Sequence, residues 1–286
     1  MKKLKTLAEL IKFRIVLLAA LTTAAGYAAG SGPDLGIIWP VLGVFLLAGG
    51  AAAFNQYQDR NIDGLMERTR LRPIPSGRFG ASEALAVAFV FITAGLAVLF
   101  LRTTIVAFVL GMVALIWYNG VYAYLKRKTA FAVVPGALTG AIAPLIGWTG
   151  AGYSLSEPQA AGLAFFFFLW QIPHFWLLSL IYGKDYQKAG LPSITVIFNA
   201  RQLKRIASVW MLASAVSCML LPLYAPEILL ACRILFFAMT LVLSAGAVRM
   251  LLSENAESYA KTAFAFLNVC VLLTVLILAF TGFNAR

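Results

Sequence analysis

Apolar residues run in blocks of about twenty along nearly the whole chain, and short polar connections separate them. The blocks fall at 14–31, 37–58, 82–101, 104–124, 130–150, 158–181, 206–223, 227–249 and 261–282. A helix of about 20 residues, rising 1.5 Å per residue, crosses the ~30 Å hydrocarbon core of a bilayer. Membrane-spanning strands would instead show weak alternation over about ten residues. The pattern predicts an all-α integral membrane protein with about nine transmembrane helices and a single domain over residues 1–286.

Composition sharpens this. Only 12% of residues are charged and 62% are hydrophobic, whereas soluble domains are about 25% charged. The net charge of +12 would suit a nucleic-acid binder, but Lys and Arg sit in the connections, where membrane topology accounts for them. No nucleic-acid partner is expected; the partner is the lipid bilayer. With the amino terminus placed in the cytoplasm, 20 of the 23 Lys and Arg residues are cytoplasmic, and only Arg102, Arg233 and Arg286 lie outside. The expected orientation is amino terminus in, carboxyl terminus out. Lys2, Lys3, Lys5, Lys12 and Arg14 look like the start of a signal sequence. The apolar stretch after them runs to Ala29 and further spans follow, so the first span is expected to be retained. Cys218, Cys232 and Cys270 have no paired or metal-like spacing and read as structural. Glu9, Glu83, Glu254 and Glu257 read as helix-end charges.

The stretch Asn55–Arg78 carries the candidate chemistry. Asn55, Asp59 and Asp63 recur every four residues, so they share one helix face with about 6 Å between neighbours. Gly64 follows as a helix C-cap. Two carboxylates and an amide oxygen at that spacing suit a hard cation such as Mg²⁺ shared with phosphate oxygens. The competing reading is an ordinary solvated helix end, but Asn55 lies within the apolar block, where polar groups are costly. Arg68, Arg70, Arg72 and Arg78 come next, broken by Pro73, Pro75 and Gly77, as a cationic loop able to fold over an anion.

Two further clusters share that membrane face. Tyr182–Ser193 holds Asp185 between Lys184 and Lys188, and the end of the fourth span holds Tyr118, Asn119, Tyr122 and Lys126–Lys128. Topogenic charge is the other reading of Lys126–Lys128. Asp59 and Asp185 stand 126 residues apart at the inner ends of spans two and six. Spans one to four against five to eight therefore read as a weak internal duplication, with a ninth span added. His174, the only histidine, lies in Trp170-Gln171-Ile172-Pro173-His174-Phe175-Trp176, about 10 Å inside the expected end of span six. It is either a packed histidine bonded to a neighbouring helix, or an acceptor contact, haem ligand or proton handler. Pro173 is expected to kink the helix there.

These residues resemble the UbiA superfamily of intramembrane prenyltransferases, and within it the branch that farnesylates haem. The resemblance covers almost the whole chain. Asn55-x3-Asp59-x3-Asp63 matches the first Asp-rich motif of the superfamily. Asp59-Arg60-x-Ile62-Asp63-x-x-Met66-x-Arg68-Thr69-x-x-Arg72-Pro73, Trp170-Gln171-x-Pro173-His174-Phe175-Trp176 and Asp185-Tyr186-x-x-Ala189-Gly190-x-Pro192 are similar to the haem branch. The chain departs from that branch at Phe13, Asn61, Phe131, Pro135 and Ser193-Ile194-Thr195.

The resemblance implies a UbiA-type bundle with a central chamber open to the cytoplasmic face of a bacterial inner membrane. It implies Mg²⁺-dependent transfer of a farnesyl group from farnesyl diphosphate to a vinyl group of haem b, giving haem O. Asp59, Asp63 and Asp185, assisted by Asn55, would hold the metal. Arg14, Arg68, Arg72, Lys126, Lys184 and Lys188 would bind diphosphate. Tyr118, Asn119, Tyr122, His174 and Trp176 would line the acceptor or prenyl pocket. Haem-delivery partners of a terminal oxidase are implied as well. The rival readings are the same chemistry on another aromatic or tetrapyrrole acceptor, and a transporter. A transporter would place its polar groups near the bilayer midplane, not at one face.

Overall fold

The computed structural model describes residues 2–224, 229–253 and 256–281. The expectations for Glu254 and Arg286, and for the side chains of Lys2 and Glu257, lie outside the described residues.

In chain order the helices are α1 (Lys2–Leu10), α2 (Phe13–Ser31), α3 (Ile38–Asp63), α4 (Ala81–Arg102), α5 (Ile105–Ile116), α6 (Ala123–Leu125), α7 (Val133–Gly136), α8 (Leu138–Gly150), α9 (Pro158–Lys188), α10 (Ile194–Ile197), α11 (Ala200–Leu220), α12 (Leu230–Leu252) and α13 (Ala256–Thr281). A 3₁₀ turn, Leu35–Ile37, leads into α3, and a π-helical segment, Trp117–Tyr122, joins α5 to α6. Among the described residues, nine stretches are long and apolar enough to cross a membrane. Local chemistry sets several boundaries. Thr104 Oγ1 accepts the Ala107 N–H at 3.2 Å to start α5, and Asn199 and Gln202 cap α11 reciprocally at 2.9 and 3.0 Å. Pro158 occupies the first turn of α9, where no N–H is needed.

Three boundaries differ from expectation. Span six is expected to end near residue 181, but α9 continues to Lys188. At about 46 Å it outreaches the hydrocarbon core and carries Asp185 on its projecting end. Pro173 lies inside this continuous helix, and His174 sits about 21 Å from its end rather than 10 Å. The basic amino terminus forms a separate helix, α1, whose buried Leu10 packs with Ala53, Ala84 and Ala88 across the ends of α3 and α4. Gly64 follows α3 as expected, but with φ −67° it remains right-handed.

The bundle pairs α3 with α4, and sets α2 against α8 and α13. Helix α9 lies among α8, α11 and α13. The α2–α8 crossing is close: a Cβ added at Gly26 would lie 1.9 Å from the Pro144 carbonyl oxygen, and one at Gly147 1.9 Å from that of Thr23. Small residues let membrane helices approach in this way, and Thr23 Oγ1 donates across the crossing to the Ala143 carbonyl at 3.0 Å. The main core joins Ala25, Trp148, Phe166, Phe167, Met211 and Phe236. Leu17, Leu18, Phe89, Val90, Phe100 and Leu241 face outward, as suits a lipid-facing surface. The three cysteines are buried and unpaired, as expected of structural residues.

Candidate active site

The end of α3 gathers the polar residues on one buried face, as the four-residue spacing requires. Asn55, Asp59 and Asp63 are 4%, 7% and 1% exposed, deep enough that each needs a partner. Asn55 Nδ2 donates to Asp59 Oδ2 at 3.1 Å. Asp59 is also held by the ammonium of Lys126 and by the Arg127 guanidinium at 3.0 Å. Asp63 receives Arg72 Nη1 at 2.8 Å on each carboxylate oxygen.

The cationic loop reaches these carboxylates by folding back. Thr69 Oγ1 donates to the Asp63 carbonyl at 2.8 Å, and the Arg72 N–H to the Thr69 carbonyl at 2.9 Å. Buried Met66 plugs the loop. Arg78 pairs with Glu9 of α1 at 2.7 Å. Arg70 is exposed.

The same loop touches α9. The Arg68 N–H donates to Asp185 Oδ2 at 3.1 Å, and its guanidinium donates to Tyr186 Oη at 3.3 Å and lies over the Tyr182 ring at 5.3 Å. Asp185, Lys184, Arg68 and Glu67 line an open hollow of about 430 Å³. Lys188 pairs with Glu67 at 3.1 Å, but both are exposed and the pair contributes little. The structure thus links Asp185 to the loop rather than directly to Asp59 and Asp63.

Two cations were missed by the sequence reading. Arg14, expected at the diphosphate, is exposed on α2. Lys12, two residues earlier, reaches the site instead, donating to Asn55 Oδ1 at 3.0 Å and to Tyr118 Oη at 3.5 Å. Its backbone is left-handed (φ 54°), the only such non-glycine among the described residues. Strained backbone of this kind tends to collect at functional sites. Burial, and then the Arg72 cation, push the Lys12 ammonium down to about 8, against the pull of Asp63 and Asp59. Arg127, adjacent to the expected Lys126, is the second missed cation.

The π segment supplies the aromatic side of the site. Tyr118 and Tyr122 stack with centroids 5.9 Å apart, and Lys126 lies 5.7 Å from the Tyr122 ring. Tyr122, Lys126, Phe175 and Tyr186 border a second hollow of about 80 Å³. Asn119, expected in the pocket, turns away and donates to the Ala51 carbonyl at 3.0 Å, locking the segment to α3. Trp176 packs against Trp210 of α11, ring centroids 5.8 Å apart, and His174 bonds Asn268 of α13 at 2.9 Å. Neither joins the tyrosine pair.

No three His, Cys, Asp or Glu side chains gather closely enough to hold a metal ion among the described residues. The donors at the end of α3 still fit a hard divalent cation in kind: two carboxylates and an amide oxygen, with no nitrogen or sulfur ligand among them. The cations around them match the phosphate oxygens such a metal would share.

The sequence profile of the UbiA prenyltransferase family matches residues 16–270. The chain belongs to this family. Among UbiA relatives, a protoheme IX farnesyltransferase of Geobacter sulfurreducens is 40% identical over 216 residues, covering 75% of this chain and 80% of that one. One of Legionella pneumophila is 43% identical over 192 residues, covering 66% and 65%. The fold is that of solved UbiA structures. A structure of a digeranylgeranylglyceryl phosphate synthase has a TM-score of 0.78 at 19% identity, with 98% of both chains covered. A UbiA homologue from Archaeoglobus fulgidus bound to GPP and Mg²⁺ has a TM-score of 0.66 at 16% identity, covering 96% of this chain and 99% of that one. The protein is therefore a multi-pass membrane prenyltransferase, and the transporter reading falls.

Proposed function

We propose that this UbiA enzyme transfers the farnesyl group of farnesyl diphosphate to a vinyl group of haem b, giving haem O, with Mg²⁺ as cofactor. The observation that carries the reading is the group of relatives named protoheme IX farnesyltransferase, 40% identical over 75% of the chain in the Geobacter case. Two of the solved UbiA homologues hold Mg²⁺ with a prenyl diphosphate, which supports the cofactor.

Asp59, Asp63 and Asp185, with Asn55, would hold the metal. When bound, it supplies positive charge to the diphosphate and so makes it a better leaving group. Lys12, Arg72, Lys126 and Arg127 stand around the same carboxylates and accept the charge that develops as the allylic C–O bond breaks and its electron pair leaves with the diphosphate. Arg68, Lys184 and Lys188 draw the anion to this end of the bundle. The ring faces of Tyr118 and Tyr122 stabilise the allylic cation. The vinyl π electrons then form the new C–C bond; water adds to the cation left on the vinyl group and releases a proton. Excluding water until that point prevents hydrolysis of the prenyl cation.

Mass spectrometry of haems extracted from cells with and without expression tests this reading. A haem O mass that depends on expression is expected, and with purified protein it should be lost on chelating Mg²⁺ and restored on adding it. A prenylated product that contains no haem would reassign the acceptor.

A further inference from the structure

Helix α1 lies where the lipid-facing surface of the bundle begins. Its buried Leu10 packs with Ala53 of α3 and with Ala84 and Ala88 of α4. Directly beyond Ala88, Phe89 and Val90 of α4 are exposed, and so are Ile15, Leu17 and Leu18 just past the turn into α2. The helix therefore sits at the edge of the hydrocarbon, at the depth of the phospholipid headgroups. Its first turn stands clear of the bundle: Lys3, Leu4 and Lys5 are exposed, Leu4 by 73%. Among the described residues no carboxylate pairs with Lys3 or Lys5. The one acid of α1, Glu9, is taken by Arg78 at 2.7 Å. Arg14 opens α2 between the exposed side chains of Phe13 and Ile15. Cations set beside exposed apolar side chains match the surface that an anionic phospholipid presents.

The other end of α1 is built into the candidate active site. Gln56 Nε2, on α3, donates to the Glu9 and Leu10 carbonyls at 2.9 and 2.8 Å, satisfying acceptors that a helix end leaves open. Gln56 is buried and adjoins Asn55. Two residues past Leu10 the chain turns through left-handed Lys12, whose ammonium donates to Asn55 Oδ1 at 3.0 Å. That conformation is unfavourable for a residue with a Cβ, so the packing on either side must hold it. Nine residues are too few for a stable helix on their own, so α1 depends on what it touches. If α1 leaves its groove, Gln56 loses both partners and Lys12 loses the turn that aims it.

We propose that anionic phospholipid headgroups bind the basic first turn of α1 and hold the helix in its groove, so that lipid charge governs the seating of Lys12. The lipid site goes beyond the proposed function; its effect on rate rests on the part given there to Lys12. The phosphate belongs to a lipid, because Leu4, Phe13 and Ile15 gain from an apolar neighbour that a free phosphate does not offer.

The test places the purified full-length enzyme in nanodiscs of phosphatidylcholine alone, or with a quarter of the lipid replaced by phosphatidylglycerol. Hydrogen exchange of the α1 amides is read without substrate. Phosphatidylglycerol is expected to slow that exchange about fivefold, and high salt to reverse the effect by screening exposed charge. In the double variant Lys3→Gln, Lys5→Gln the lipid should change exchange by at most about twofold. The kcat of prenyl transfer should rise with phosphatidylglycerol in the parental enzyme, and much less in the variant. Glycerol phosphate added to phosphatidylcholine discs should leave both readouts unchanged. Equal α1 exchange of the parental enzyme in the two lipids overturns the inference, and that comparison needs no variant to fold. An undiminished lipid effect in the double variant, or full replacement of the lipid by glycerol phosphate, overturns it equally. Lipid-dependent exchange with a lipid-independent kcat overturns the link to Lys12. A chain that forms no haem O in cells yet keeps lipid-dependent exchange refutes the proposed function instead and leaves the lipid site standing.

Discussion

At the scale of single residues, the site turns on which cation meets which carboxylate. The four-residue spacing of Asn55, Asp59 and Asp63 made their shared face legible, because helical geometry alone dictates it. The choice of Lys12 over Arg14 was not legible. A left-handed residue at the α1–α2 turn redirects the chain, and a hydropathy pattern carries no record of that. Lys12→Met should therefore lower kcat about a hundredfold or more, in line with removing one stabiliser of developing charge. Arg14→Met should cost less, since Arg14 is exposed. Steady-state kinetics on the two variants decides between them, and a larger loss in Arg14→Met would reverse the assignment. Asp63→Asn and Asp185→Ala should each raise the Mg²⁺ concentration needed for half-maximal rate and lower kcat by about 10²–10³. Asp185 is the sharper test, because it touches the loop through the Arg68 N–H rather than the carboxylates of α3. Near-normal Mg²⁺ dependence in Asp185→Ala would remove α9 from the metal site.

At the scale of elements, the π segment is what aligns two sets of side chains on one connection. Asn119 is tied to the Ala51 carbonyl and to Gln58, while Lys126 and Arg127, a turn or two later, meet Asp59. The apolar block at 104–124 predicted a continuous α-helix, and composition offers no signal for the wider turn, which tertiary hydrogen bonds impose. The extension of α9 beyond the bilayer was missed for a related reason: hydropathy ends where charge begins, although Lys184, Asp185 and Gln187 continue the helix without a breaker. Deleting Gly120 should only remove the extra residue that the π turn holds and leave later residues facing as before, so the register is tested by inserting one alanine after Tyr122, where the helix is α again. Every residue after that insertion rotates about 100° relative to those before it, so the Lys126–Arg127 pair leaves α3. The expected outcome is a membrane-inserted protein with almost no prenyl transfer. Gly120→Ala is the control, because a Cβ there meets nothing within 4 Å and the register is kept. It should retain activity. Equal loss in both variants would show that the segment itself, not the register beyond it, matters.

At the scale of the whole molecule, the number of spans was legible from block length, while their mutual packing was not. The close α2–α8 crossing depends on Gly26 and Gly147, positions at which the sequence shows only two of 23 glycines. The arrangement does explain why acids and bases of distant segments meet. The ends of α3 and α9 carry Asp59, Asp63 and Asp185, Lys126 follows α6, and the stretches 60–78, 126–128 and 184–205 around those ends hold 13 of the 23 Lys and Arg in the chain. Under the proposed function a single face would serve two physical ends: it would gather the cations that bind a diphosphate, and it would carry the charge that orients the protein during insertion. With 20 of 23 basic residues assigned to it, that face should be cytoplasmic. Reporters fused after Arg78 and after Lys128 should read cytoplasmic, and one at Ser154 external. Reversing the orientation would need basic residues added to the outer connections, such as the one holding Arg102, until they rival the inner ones; a partial increase should leave all three reporters unchanged. If instead the unaltered chain reads external at Arg78 and Lys128, the diphosphate would have to be supplied from outside the cell, and the assignment of this face as the prenyl-donor entrance would fail with it.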